Sequence, residues 1–139
     1  MNEIKTEKQI EKDIFRIIKA SPINTMIGGT LYRKGMRPRN AKTEDAVVAF
    51  LSGLDGQFQT GVVLLNIYVP MTQNASSDKI TDISRVETLE AAVNDFFDEC
   101  SEVNYLFELR ETPYSEDLDE IEQTRINVRI HYTRTTFKN

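Results

Sequence analysis

Histidine and cysteine, the residues that most often act as a base, a nucleophile or a soft metal ligand, each occur once in this sequence. A nucleophilic triad needs a base beside its nucleophile, and a zinc ion needs about four nitrogen, sulfur or oxygen ligands. His131 and Cys100, without paired spacing, meet neither requirement. The sequence therefore predicts no catalytic residue, no metal site and no cofactor. It favours a surface position for His131 and a buried, unreactive one for Cys100.

Two charged segments are the remaining chemical candidates. Residues 33–42, which we call the basic loop, contain five cations and no acid, and Gly35 and Pro38 interrupt them. Residues 116–122, the acidic segment, contain five acids and no base, without the glycine and the ligand spacing of a calcium loop. Both are predicted to be solvated connections. The basic loop could be a plain surface segment, pair with the acidic segment of a neighbouring copy, or contact phosphate.

Length and composition are typical of an ordinary globular protein. With 139 residues, 40% of them hydrophobic, the chain is expected to form one domain, 1–139, with its own core. A single cysteine excludes an internal disulfide, and we find neither a signal-like apolar stretch nor an apolar run that could span a bilayer. We therefore expect a soluble protein made in the cytoplasm, without a membrane partner. The net charge of −5 argues against non-specific DNA binding.

The pattern of apolar residues predicts two helices and five strands. Helical spacing covers 10–18, after a capping box at Thr6 and Gln9, and 86–100, after a start at Ser84. Glu11 is expected on the polar face of the first helix. Strand patterns occupy 30–33, 46–51, 62–69, 105–109 and 124–133. The order predicts an α+β domain with a mixed or antiparallel, curled sheet of four to five strands and two helices packed on one face.

The strand at 62–69 is apolar on both faces, which so few helices cannot cover. Its odd-numbered residues point one way, and the second face carries Val62, Leu64 and Tyr68, interrupted only by Asn66. An exposed apolar patch of several hundred Å² is rare on a monomer. We therefore expect strong curling of the sheet or a neighbouring subunit to cover this second face.

Several of these segments together resemble the tail-completion, or tail-terminator, proteins of tailed phages and prophages. They are Gly29-Thr-Leu-Tyr-Arg-Lys-Gly35, the strands at 46–51 and 61–70, the helix at 86–100 and the closing strand at 124–133. The similarity spans nearly the whole chain and rests on element order, length and the Gly-Thr-Leu-Tyr sequence after the first helix. The segments 71–83 and 115–123 depart from the family.

The resemblance implies a non-enzymatic structural protein that forms a ring, commonly a hexamer, caps the tail tube and joins it to the head. It also implies assembly in the host cytoplasm and, if the phage is active, a place in the virion. The surface that packs on a neighbouring copy or on a second layer would be Val62, Leu64 and Tyr68. The loop that docks tail-tube or head-connector proteins would be Arg33, Lys34, Arg37 and Arg39. The lining of a channel that DNA passes through would be Arg125, Arg129 and His131.

The alternative function is a small nucleic-acid-associated or regulatory binding module that uses the basic loop. The acidic net charge of the chain weighs against this function, as does the lack of an aromatic stacking set or a recognition helix. An enzyme ranks third, because the sequence lacks a candidate base, nucleophile or metal cluster.

Overall fold

The first helix, α1 (Glu7–Lys19), begins at the predicted capping box. In the computed structural model, which describes residues 4–136, the Thr6 hydroxyl accepts the Gln9 N–H at 3.4 Å. In return, the Gln9 side-chain oxygen accepts the Thr6 N–H at 2.8 Å. These bonds satisfy donors that a first helical turn leaves unpaired. The buried stripe beneath the helix is, as its spacing predicts, Ile10, Ile14 and Ile18.

A short helix that the sequence analysis does not predict, α2 (Pro22–Met26), follows directly. The Ser21 hydroxyl caps it by accepting the Ile23 N–H at 3.2 Å. Pro22 occupies its first turn, where a missing N–H leaves no helical bond unmade. The Ser-Pro pair therefore marks the end of α1, as expected, and also the start of α2.

The third helix, α3 (Ile83–Glu99), begins earlier than predicted. Asp82, not Ser84, is its N-cap, and the Asp82 carboxylate accepts the Arg85 N–H at 3.2 Å. The Ser84 start was therefore wrong, because the Asp82 side chain caps the first turn and Ser84 lies within that turn. The buried face of α3 is Val86, Leu89, Val93 and Phe97.

The strands of the described residues are β1 (Leu31–Arg33), β2 (Asp45–Leu54), β3 (Phe58–Pro70), β4 (Thr72–Gln73), β5 (Lys79–Ile80), β6 (Tyr105–Glu108), β7 (Tyr114–Leu118) and β8 (Gln123–Thr135). The main sheet runs β1-β2-β3-β8-β6, with β7 also on β8, while β4 and β5 form a separate hairpin. Only β1 and β2 pair in parallel. The α+β class with a mixed sheet is confirmed. The main sheet has six strands where four to five were predicted, residues 4–136 form three α-helices where two were predicted, and the sheet is not closed.

Pairing between β3 and β8 forms the centre of the core. Val63, Leu65 and Ile67 on β3 are fully buried, and their partners on β8 are Ile130, Val128 and Ile126. The apolar stripes of α1 and α3 pack in the same cluster. One face of the sheet is therefore sealed by helices, which places the other face outside the core.

The acidic segment is not a simple connecting loop. Its first half belongs to β7, which pairs with β8, and Asp119–Ile121 forms a 3-10 turn. Glu116 stands opposite Arg125, and Asp117 accepts the Thr124 hydroxyl at 2.7 Å. The loop prediction was wrong because these cross-strand contacts offset the low strand preference of acidic residues.

Candidate interaction surfaces

The predicted packing surface lies on the face of the main sheet opposite the helices. Val62, Leu64 and Tyr68 alternate with the fully buried residues of β3, and each is half-buried. Their partners on β8 are, in the same order, His131, Arg129 and Arg125. The second face is therefore an apolar ridge bordered by basic groups.

An open groove of about 520 Å³ lies on this second face. Its lining on the sheet includes Val47, Ala49 and Leu64. Its other walls come from the acidic segment, through Leu118 and Ile121, and from the basic loop, through Lys34, Gly35, Arg37, Pro38 and Arg39. The two charged segments thus border one groove within a single copy, which the sequence could not indicate because they are about 80 residues apart.

Several apolar side chains at the end of the β2–β3 hairpin are exposed to solvent. Leu51 is 47% exposed, Leu54 74% and Phe58 52%. Leu106 on β6, 72% exposed, stands opposite Thr133 of β8, which pairs with Thr60 of β3. These residues extend the second face towards one end of the sheet.

Arg37, one of the predicted docking residues, is held inside the molecule. Its side chain is 12% exposed, and its Nε donates to Asp45 Oδ2 at 3.0 Å. A second nitrogen donates to the Thr43 carbonyl and to Gln123 Oε1, each at 3.1 Å. The guanidinium lies 4.2 Å from the centre of the Tyr68 ring. Arg37 therefore fastens the basic loop onto the second face, which leaves little of it for a partner.

Arg33 is also engaged, with an acid that the sequence analysis misplaces. Its Nε donates to Glu11 Oε1 at 2.9 Å, and Glu11 is only 1% exposed. Glu11 Oε2 lies 3.4 Å from both the Lys8 ammonium and the Phe50 N–H. The polar-face prediction for Glu11 was wrong, because this carboxylate joins α1 to β1 and β2 through donors distant in sequence.

Lys34 and Arg39 are the predicted docking residues that remain exposed. The chain turns at Arg33–Met36, where the Met36 N–H donates to the Arg33 carbonyl at 3.0 Å. Gly35 has φ +84°, the left-handed value that the third position of such a turn requires. The turn leaves Met36 68% exposed beside the two cations.

The three predicted channel residues differ in their surroundings. Arg125 donates to the Glu116 carboxylate from Nε at 3.1 Å and from a second nitrogen. His131 Nε2 lies 2.6 Å from Glu111 Oε2. These hydrogen bonds lower the pKa of Glu116 and of Glu111. Arg129 is exposed and makes no hydrogen bond or ion pair with residues 4–136, although its charge also acts to lower the pKa of Glu111.

A polar network that the sequence analysis does not find holds Gly29 and Thr30, the first two residues of the Gly-Thr-Leu-Tyr segment, in place. The Gly29 and Thr30 N–H groups donate to the Glu44 carbonyl and to Asp45 Oδ1, both at 2.8 Å. A Cβ on Gly29 would lie 2.1 Å from Asp45 Oδ1, so only glycine fits there. Arg85 donates to both oxygens of Glu44, at 2.9 and 2.7 Å. Burial acts to raise the pKa of Glu44, but the Arg85 and Gly28 hydrogen bonds outweigh it and lower the pKa.

Other chemistry is sparse between residues 4 and 136. In that part of the chain no group of three His, Cys, Asp or Glu side chains could hold a metal ion, and no helix is long and apolar enough to cross a membrane. Cys100 is half-buried, and burial raises the pKa of its thiol. Known protein families and curated proteins give no match to this chain. The second face of the sheet and the basic loop are therefore the predicted surfaces that the structure leaves as candidates for an interaction.

Proposed function

We propose that this chain is a structural, self-associating protein of the phage or prophage tail-completion type. Its copies form a ring, commonly a hexamer in that family, which caps the tail tube, ends tube polymerisation and joins the tube to the head. Its partners are further copies of itself and the tail-tube and head-connector proteins, and it acts without chemistry or a cofactor. It assembles in the host cytoplasm and becomes part of the virion.

The uncovered second face is the observation that carries this proposal. Helices seal one face of the sheet, whereas the other retains the groove beside Leu64 and the exposed Leu51, Leu54 and Leu106. The basic loop shields only the part around Tyr68. Because adjacent exposed apolar groups gain free energy when they leave water, this face favours contact with another protein surface.

A ring requires a heterologous contact, in which one surface of each copy meets a different surface of the next. The molecule has two dissimilar sides that suit such a contact, since the second face is apolar with basic borders and the helical side carries acids on α3. The exposed acids of α3 include Glu87, Asp95, Asp98 and Glu99. Complementary sides support head-to-tail association over a symmetric dimer.

The alternative, a nucleic-acid-associated module built on the basic loop, loses support from the ion pairs of that loop. Arg33 and Arg37, two of its five cations, are paired with Glu11 and Asp45. A loop that neutralises phosphates needs its cations free to release counterions. The alternative remains testable, since it predicts a monomer whose DNA affinity falls steeply with salt.

Light scattering coupled to size-exclusion chromatography tests self-association. We expect the wild-type chain to show a mass that rises with concentration to a defined oligomer. Leu64→Asp places a charge in the groove of the second face and should leave a folded monomer. The matched control is Ile83→Asp, because Ile83 is 63% exposed at the start of α3 and lines neither the groove of the second face nor the one between α2 and α3, so this variant should still associate.

Tube capping tests the rest of the proposal. The proposal predicts that a tail-tube gene lies near the gene for this chain. Its purified subunits should polymerise into tubes of unlimited length alone and into capped, shorter tubes when the wild-type chain is added. Leu64→Asp should cap far less well than Ile83→Asp. A wild-type monomer at all concentrations, with no effect on tube length, would overturn the proposal.

A further inference from the structure

A second groove, of about 500 Å³, lies between α2 and α3 on the helical side of the molecule. We call it the α2–α3 groove. Its apolar lining includes Met26, Ala92 and Phe96. Its acidic lining is Asp95, Glu99 and Glu102. All three acids are exposed, and none forms an ion pair with the described residues. Such a groove fits a segment that has an apolar anchor between cations.

The tip of the basic loop is a segment of that kind. Met36 is 68% exposed, and the exposed cations Lys34 and Arg39 stand on either side of it in sequence. An unbranched methionine adapts to irregular apolar surfaces. The tip therefore carries one apolar anchor and two free positive charges.

The loop is also held in one conformation before any partner arrives. The turn at Arg33–Met36 is closed by a backbone hydrogen bond, and Gly35 adopts the φ that the turn needs. Arg37, fastened to Asp45, Gln123 and the Tyr68 ring, fixes the loop directly after Met36. A preordered loop loses little conformational entropy when it binds. Of the five cations of the loop, Arg33 and Arg37 form internal ion pairs, whereas Lys34, Arg39 and Lys42 are exposed.

We infer that the tip of the basic loop of one copy docks into the α2–α3 groove of the next copy, with Met36 on Phe96 and with Lys34 and Arg39 facing Glu99 and Glu102. The contact deepens the ring proposed above and rests on it. The loop packs on the second face through Tyr68, whereas the groove lies on the helical side. The two surfaces therefore meet only between copies, and the contact is heterologous, as a closed ring requires.

Charge exchange between the two surfaces tests this contact. The variant Lys34→Glu/Arg39→Glu has an acidic loop and an acidic groove, and Glu99→Lys/Glu102→Lys has a basic loop and a basic groove. Each should remain folded by circular dichroism and lose association by about 100-fold or more, because every contact would join like charges. An equimolar mixture should associate again, since each loop then meets a groove of opposite sign.

Matched charge changes elsewhere serve as controls. Lys12→Glu/Lys19→Glu on α1 carries the same change in net charge as the first variant, and Glu7→Lys on α1 with Asp78→Lys between β4 and β5 carries the same change as the second. All four positions are exposed and line neither groove. Each should associate like the wild type, and their mixture should gain nothing. Restored association in the first mixture alone would therefore support a pairing of loop and groove.

Three results would overturn the inference. Charge variants that associate as tightly as the wild type would remove these surfaces from the interface, and the ring would stand if Leu64→Asp still dissociates it. Two dissociated variants whose mixture stays dissociated would show that the loop and the groove contact other surfaces. A wild-type chain that never associates would remove the ring and this contact together. Met36→Ser adds a further check, and it should weaken association without changing the response to salt.

Discussion

The two faces of the main sheet are built from the same strands, and they differ in what covers them. On the helical face, Val63 and Leu65 of β3 are fully buried beneath α1 and α3. On the second face, Leu64 between them is half-buried and borders a groove. Adjacent residues of one strand thus have different roles. Burial of the helical face stabilises the fold, whereas the second face remains available to a partner.

Truncating adjacent leucines of β3 should separate the two faces most clearly. Leu65→Ala should lower the free energy of unfolding by about 2–5 kcal/mol, because it leaves a cavity in a sealed core. Leu64→Ala should lower it by less than about 1.5 kcal/mol, since the side chain is already part-exposed, but should weaken association. Urea unfolding of dilute protein measures the first quantity, and light scattering measures the second. Equal losses of stability would show that both faces are core.

The basic loop offers a sharper comparison within the second face. Arg37→Ala should destabilise the fold by about 3 kcal/mol, because it leaves Asp45 buried without its ion-pair partner. Arg39→Ala should change stability by less than about 0.5 kcal/mol, since it removes an exposed side chain, but should weaken association. Thermal unfolding in dilute solution distinguishes the two. An Arg37→Ala variant as stable as the wild type would contradict the inference that Arg37 holds the basic loop on the second face.

The smallest expected effects concern acid sensitivity. The pKa of Glu44 is lowered in the folded chain, so its contribution to stability is present above its ordinary value of 4.5 and is lost as the pH falls below it. Glu44→Gln should therefore flatten the fall in stability between about pH 5 and pH 3. Glu116→Gln on the second face should flatten it less, because water and salt screen its exposed pair with Arg125. Unfolding midpoints across this range, at constant salt, measure both. A steeper dependence for either variant would contradict the sign of its pKa shift.

Elements with local signals could be predicted from the sequence. The capping box at Thr6, the apolar stripe of α3 and the long β2–β3 hairpin follow from patterns within a few residues. The α2 helix was missed because five residues are too few to show a period. β7 was missed because its acidic residues become favourable only beside Arg125 and Thr124.

The candidate surfaces were predictable in part. Alternation in β3 does assign Val62, Leu64 and Tyr68 to one face, but it cannot say which loop covers them. Arg37 and Arg39 cannot be distinguished in the sequence. Only the fold places Asp45 and Gln123 beside Arg37, which they bind, and leaves Arg39 exposed. Long-range polar contacts leave no periodic signal, which is why Glu11 and Glu44 were also missed.

The central claim is that another copy covers the second face, and thiol modification tests it most directly. Leu64→Cys in a Cys100→Ser background places a single thiol on that face, and Ile83→Cys in the same background is the control. As protein concentration rises through the association range, the modification rate at position 64 should fall at least about tenfold, while that at position 83 stays constant. A rate at position 64 that stays constant while the oligomer forms would contradict the account.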